Sequence, residues 1–192
     1  MINNAGIFSK TKQRTKDGFE QQFGVNYLGH FLLTQKLLPV LRQAPQARIV
    51  HIASIAHWAG SIKPHTFHAK GFYNPVFYYG QSKLANLLFS NALAEQMAGS
   101  SITNNALHPG GVASDIYRDL PKPVYGVMKL GLVPTSVPAK LIFQMAIGDE
   151  WANRNAEYVS AHMPNWKSPH AKNQQLAREL YAQSMTLVEK FL

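Results

Sequence analysis

The 192-residue sequence predicts an α/β fold, a parallel sheet whose strands are joined by crossover helices. Three observations carry that prediction. Short apolar runs alternate with longer stretches in which apolar residues recur at helical spacing. The apolar runs end in small residues, whereas the helical stretches open on a capping residue or a proline. A composition of 46% hydrophobic and 15% charged residues over this length suits one domain with a true core.

The elements follow in order. A first strand end is expected at Asn3–Gly6. Asp17 is the expected N-cap of a helix reaching about Gln43, with Phe19, Phe23, Leu28, Phe31, Leu32 and Leu38 on its apolar face and Pro39 disturbing its last turn. Arg48–Ser54 reads as a buried strand, followed by a loop rich in Gly, Pro and His to about Asn74. Pro75 then sits where a first-turn proline belongs, opening a helix to about Met97 that Gly99 closes. Ser101–His108 is a further strand, halted by Pro109-Gly110-Gly111. Residues 115–134 read as irregular, 135–147 as a helix, Glu157–Ala161 as a short strand and the stretch from about His170 as a terminal helix. A parallel sheet binds its ligands outside the carboxyl ends of its strands. The chemistry is therefore expected at Asn3–Gly6, Ser54 and His108–Ser114.

Composition excludes several classes of function. With no cysteine there is no disulfide scaffold, thiolate metal site or thiol nucleophile. No P-loop or nucleophile elbow is present. The formal net charge is +9, and residues 1–90 hold ten Lys/Arg against Asp17 and Glu20 alone. Such a field favours an anionic partner: a nucleotide, a nucleic acid or a membrane surface. The basic run Lys10–Lys16 carries no interleaved aromatic residue, which argues against nucleic acid. No targeting segment and no apolar stretch long enough for a membrane span is found, so the expected location is cytoplasmic, at most peripheral to a membrane. His65 and His68 lack a good third metal ligand. His51 is read as a strand-edge residue and His57 as a loop residue.

The helix opened by Pro75 carries Tyr79 and Lys83, four apart and therefore on one face. An adjacent ammonium lowers a phenol from its ordinary value of about 10, which makes a usable acid and base. Tyr125 and Lys129 repeat the spacing, but only Tyr79 follows a strand-end serine, Ser54. The ordered set Asn3-Asn4-Ala5-Gly6, Asn26, Ser54, Tyr79-Gly-Gln-Ser-Lys83 and His108-Pro-Gly-Gly-Val-Ala-Ser114 resembles the short-chain dehydrogenase/reductase superfamily. The wording of Gly24–Thr34, Ser82–Asn86 and His108–Gly110 is similar to the branch holding the retinol dehydrogenases and the oxidoreductases that carry WW domains.

That resemblance implies a Rossmann-type doubly wound parallel sheet and an NADP- or NAD-dependent oxidoreductase, with NADP favoured. Its reaction would interconvert a carbonyl and an alcohol on a small apolar substrate. Asn26, Ser54, Tyr79 and Lys83 would be catalytic: Ser54 holding the substrate oxygen, Tyr79 moving the proton, Lys83 lowering the Tyr79 pKa, and Asn26 fixing a water that connects Lys83 to solvent. Asn4, Ala5, Gly6, Pro109, Gly110, Val112 and Ser114, with Tyr79 and Lys83, would line the cofactor. The segment 115–147, with Ile116, Tyr117, Leu120 and Tyr125, is expected to cover the substrate. Dinucleotide binding begins at a glycine-rich first turn, yet the thirteen glycines include no Gly-x-Gly. The chain therefore reads as a partial domain over residues 1–192, the C-terminal portion of the sheet with its first strands and glycine-rich turn absent. The strand ending in Ser54 should then lose most of its neighbours and pair with another chain, as a homo-oligomer or through its edge. A catalytically silent interaction protein is the alternative.

Overall fold

The computed structural model describes residues 1–111 and 133–192. Four strands form one sheet in the order β1-β2-β3-β4, with every adjacent pair parallel: β1 (Ile2–Asn3), β2 (Ala47–Ile52), β3 (Ile102–His108) and β4 (Tyr158–Ser160). Parallel pairing requires crossovers. The first runs through α1 (Gln21–Phe23), a π-helical turn (Gly24–Leu28) and α2 (Gly29–Leu41), and the second through α3 (Pro75–Gln96). Helix α4 (Ser136–Ile147) precedes β4, and α5 (Pro169–Lys172) and α6 (Gln174–Val188) follow it. The chain is thus a Rossmann-type α/β layer structure.

Strand alternation divides the core between the two faces of the sheet. From β2 Ala47 and Ile49, and Ala53 just beyond it, join the larger cluster with Phe23, Tyr27 and Phe31 of the first crossover and Leu84, Leu88 and Phe89 of α3. Val50 and Ile52 face the other way, onto Met145 of α4, Trp151 and Val159. Helix α6 closes the outer side of the larger cluster. Its Tyr181 ring meets Phe31 edge-on at 5.0 Å, and Tyr27 Oη lies 2.6 Å from Ser184 Oγ.

Three expectations are corrected. Asp17 does not cap the first helix. Thr15–Gly18 closes a turn, with Gly18 at φ +86°, and the cap falls to Glu20, whose carboxylate accepts from the Gln22 and Phe23 N–H groups at 2.9 and 2.7 Å. The strand leading to Ser54 keeps a neighbour on each side, β1 and β3, because strand order places Ile2–Asn3 rather than β2 at the edge. His51 consequently lies in the interior, fully buried, with Asn3 Nδ2 3.3 Å from its Nδ1. The β1 flank is nevertheless apolar in water: Ile2, the row Leu33, Leu37 and Val40 on α2, and Phe143 and Ile147 on α4 are all exposed.

The buried imidazoles set a pH limit on this fold. Burial pulls His30 and His108 from 6.5 to about 4 and His51 to about 3, with the Lys83 charge adding to the effect at His30. All three are neutral in the folded chain, whereas the unfolded chain protonates them near 6.5. Their stabilising contribution is complete above pH 6.5 and is lost as pH falls through that window toward about 4 and 3. Thermal unfolding followed by circular dichroism should show Tm dropping by several degrees before the carboxylates titrate. A flat Tm from pH 7 to about 5 would contradict this account of the imidazoles.

Candidate active site

The carboxyl ends of β1, β2 and β3 lie side by side, and the residues singled out from the sequence gather there. At the end of β2 the Ile52 carbonyl accepts from Lys83 Nζ and from Asn86 Nδ2, each at 3.1 Å. Lys83 and Asn86 are three apart on α3 and share a face. Lys83 is 3% exposed, and burial pulls its ammonium from 10.5 to about 8. Its Nζ stands 5.6 Å from the centre of the Tyr79 ring, one turn earlier, and that ring meets Phe8 edge-on at 5.5 Å.

Two residues beyond Ile52, Ser54 caps a 3-10 helix (Ile55–Ala59), its Oγ accepting from Ala56 N–H at 3.2 Å. The serine oxygen is used as an acceptor, so its proton is available to a ligand. His57 is not a loop residue. It belongs to the 3-10 helix, is fully buried, and bridges Ser54 O (2.6 Å from Nδ1) to the backbone N–H of Ser168, which donates to Nε2 at 3.1 Å. The second bond requires an unprotonated Nε2, so Nδ1 carries the proton and donates to the Ser54 carbonyl. Gly60 and Gly80 let this segment press against α3: a Cβ on Gly80 would meet Ala56 O at 2.6 Å, and one on Gly60 would meet the Gly80 carbonyl carbon at 2.3 Å. That backbone contact seats the segment after Ser54 against α3 at Gly80, the neighbour of Tyr79.

Asn26 lies within the π-helical turn, fully buried. Its Oδ1 accepts from Ile7 N–H at 2.7 Å, and its Nδ2 donates to Ile7 O and to Ser82 Oγ, each at 3.0 Å. The extra residue in the turn aims this amide at the loop after β1, so the side chain clamps that loop to α3. Of the remaining candidates, Asn4, Ala5 and Gly6 form an exposed strand end, where a Cβ on Gly6 would stand 3.5 Å from Lys83 Nζ. Pro109 and Gly110 (φ +87°) follow β3 beside His162. Val112, Ser114, Tyr125 and Lys129 lie outside the described residues, as do Ile116, Tyr117 and Leu120. The helical part of the expected cover, α4, packs on the face of the sheet against Val50 and Ile52 rather than over the strand ends. Among the described residues no group of three His, Asp or Glu could hold a metal ion.

Sequence reasoning gave no role in the site to His57, Asn86, Ser82 or Phe8. Asn86 had a signal, because it lies one turn from Lys83 on the same face. His57 had none, since its second partner, Ser168, is 111 residues away.

The sequence pattern of the short chain dehydrogenase family matches residues 1–124. The chain belongs to the short chain dehydrogenase family. Among curated members, retinol dehydrogenase 12 of Mus musculus is 38% identical over 190 residues, covering 98% of this chain and 60% of that protein. Retinol dehydrogenase 14 of Homo sapiens is 37% identical over 194 residues, covering 98% and 58%. The chain therefore spans about 60% of the length of the curated relatives it matches. An uncharacterised protein from Mycobacterium paratuberculosis superimposes with a TM-score of 0.76 at 34% identity, over 98% of this chain and 66% of that one. The 3-ketoacyl-(acyl-carrier-protein) reductase of Brucella melitensis, solved with NADH, shares the fold at 21% identity, with a TM-score of 0.60 over 83% of this chain and 64% of that one.

The Gly80 contact is the most sensitive point of the site. Gly80→Ala should push the Ser54 segment off α3 and cost about 1–3 kcal/mol, as overpacking does. Urea unfolding measures that loss, and an unchanged midpoint would show that the close approach is dispensable.

Proposed function

We propose that this chain carries the catalytic portion of an oxidoreductase that interconverts a carbonyl and an alcohol on a small apolar substrate, using NADP or NAD. One observation carries the reading: a buried lysine, held at the end of β2, lies one helical turn from a tyrosine whose helix is packed, at the next residue, by the segment that follows a strand-end serine. The retinol dehydrogenases among its relatives support the apolar substrate class.

The residues present fit the nicotinamide ribose end of such a cofactor. Lys83 is buried, positively charged and bonded to one carbonyl among the described residues. An ammonium has three N–H groups, so donors remain for a ribose diol. Gly6, without a side chain beside Lys83, leaves room for that ribose, and Asn4, Ala5, Pro109, Gly110, Val112 and Ser114 are proposed to border the ring. No Gly-x-Gly turn for the pyrophosphate occurs in these 192 residues. When bound, the nicotinamide supplies or accepts the hydride.

The protein's own part is positioning and proton transfer. Ser54 donates its free hydroxyl proton to the substrate oxygen, and Tyr79 gives or takes the proton on that oxygen. Lys83 lowers the cost of the tyrosinate by its charge, which burial preserves from screening by solvent. Asn26 holds Ile7 and Ser82, fixing the loop after β1 against α3. That positioning role stands beside the expected one of fixing a water, since an amide oxygen that accepts one hydrogen bond keeps a second lone pair.

A second reading rests on the exposed apolar flank at β1. There Ile2, Leu33, Leu37, Val40, Phe143 and Ile147 suit a chain that pairs its edge with a second copy or with another protein. Light scattering of the purified chain tests this reading, since a strict monomer removes its support.

NADPH added to the 192-residue chain should quench its tryptophan fluorescence and accept energy transfer from it. With an apolar aldehyde present, NADPH should be consumed. Tyr79→Phe should leave binding nearly unchanged and lower turnover on the order of a hundredfold or more, the usual cost of losing a general acid. Retained turnover in that variant would overturn the assignment.

A further inference from the structure

The loop between β2 and α3 carries a feature that the reaction above does not use. Lys63, His65, Lys70, Phe72, Phe77 and Tyr78 line an open cavity of about 380 Å³ at the start of α3. At its rim Phe72 is 90% exposed, the most exposed of the large apolar side chains described. A phenyl ring can stand in water because a short loop is loose, but this loop is tied down. Ala69 (φ +55°) and Gly71 (φ +85°) bend the backbone on either side of Lys70, and Ala69 is fully buried. Lys12 Nζ donates to Gly71 O at 2.7 Å, Tyr73 Oη to Ser9 O at 2.8 Å and Tyr78 Oη to Lys70 O at 3.3 Å. The turn is anchored on both sides of Phe72, at Lys70 and Gly71 before it and Tyr73 after it, so the ring is held outward.

The charge around it has one sign. Lys63, His65 and Lys70 are exposed, with Lys63 Nζ 5.3 Å above the Phe77 ring at the cavity wall. No acid occurs between Glu20 and Glu95, and Glu20 is buried as a helix cap. The nearest exposed acid in sequence is Glu95, which is paired with Arg178. Val76, also exposed, extends the apolar tip. A single outward ring flanked by an aliphatic side chain and lysines, without a second free ring to stack the next base, does not suit a nucleic acid strand. It matches the interfacial zone of a bilayer, where apolar tips enter beside anionic headgroups.

We propose that this basic, aromatic-tipped turn docks the protein onto an anionic membrane surface, Phe72 entering the interface while Lys63 and Lys70 engage lipid phosphates. The inference does not rest on the proposed reaction, and none of these side chains takes part in it.

Co-sedimentation of the whole chain with phosphatidylcholine vesicles, with and without about one-third phosphatidylserine, tests it. Binding should require phosphatidylserine and weaken as salt rises. The double variant Lys63→Gln/Lys70→Gln should lose affinity by about thirtyfold, from roughly 1 kcal/mol per interfacial lysine. Phe72→Ser should lose it several-fold with the charge unchanged. Lys36→Gln/Lys190→Gln, an equal charge change elsewhere, should bind nearly as the parent does; circular dichroism checks that each variant is folded. Absent binding overturns the proposal, as does binding indifferent to phosphatidylserine. So does an equal loss in the Lys36/Lys190 pair, which would mean only diffuse attraction by a chain of net charge +9. Tight binding of polyuridine or polyglutamate that the Lys63/Lys70 pair abolishes, without vesicle binding, would reassign the surface to RNA or to an acidic protein.

Discussion

The Ile52 carbonyl, at the end of β2, receives two side-chain donors from α3, Lys83 and Asn86. A backbone carbonyl at a strand end inside a protein must find donors, since burying it unpaired costs about 1–3 kcal/mol. Here the donors come from the crossover helix, so satisfying the strand also sets the height and rotation of α3. Tyr79 is placed by that rotation. Ser54, two residues beyond Ile52, is placed by the same strand end. The 3-10 turn after Ser54 then locks against Gly80, the neighbour of Tyr79, where no side chain intervenes. Reactive geometry and sheet packing are therefore one arrangement.

That arrangement carries an electrostatic cost. Lys83 is an ammonium in an almost dry position, with burial lowering its pKa to about 8. His30 and His51, on the sheet side of α2 and on β2, remain neutral under the same burial, which avoids adding like charge beside it. Asn26 contributes only neutral hydrogen bonds to the neighbourhood. The site thus holds one buried positive charge, next to the tyrosine whose ionised form would benefit from it.

Much of this was legible in the sequence. Helix α3 matched its prediction to a residue because Pro75 opens it and Gly99, at φ +77°, closes it, both local backbone constraints. The first helix did not, because Asp17 is the better cap on paper, aspartate being a preferred N-cap where glutamate is not, and the cap is nevertheless Glu20. The choice between them came from the Thr15–Gly18 turn and the bridge pairing Arg14 with Glu20. His51 and His57 were read as edge and loop residues, since polarity alone predicts exposure. Strand order buries the first, and a distant Ser168 N–H pairs the second.

By itself the sequence determined the alternation of strands and helices, the absence of a glycine-rich phosphate turn, and the identity of Asn26, Ser54, Tyr79 and Lys83 as the group worth examining. These follow from local periodicity, turn chemistry and residue type, each expressed within a few positions. Only the tertiary structure decided which strand lies at the edge, which acid caps, that the Asn26 amide binds Ile7 and Ser82, and that Phe72 is held in water. Each of those depends on hydrogen bonds or contacts between residues far apart in the chain, and their partners exist only once the sheet has assembled.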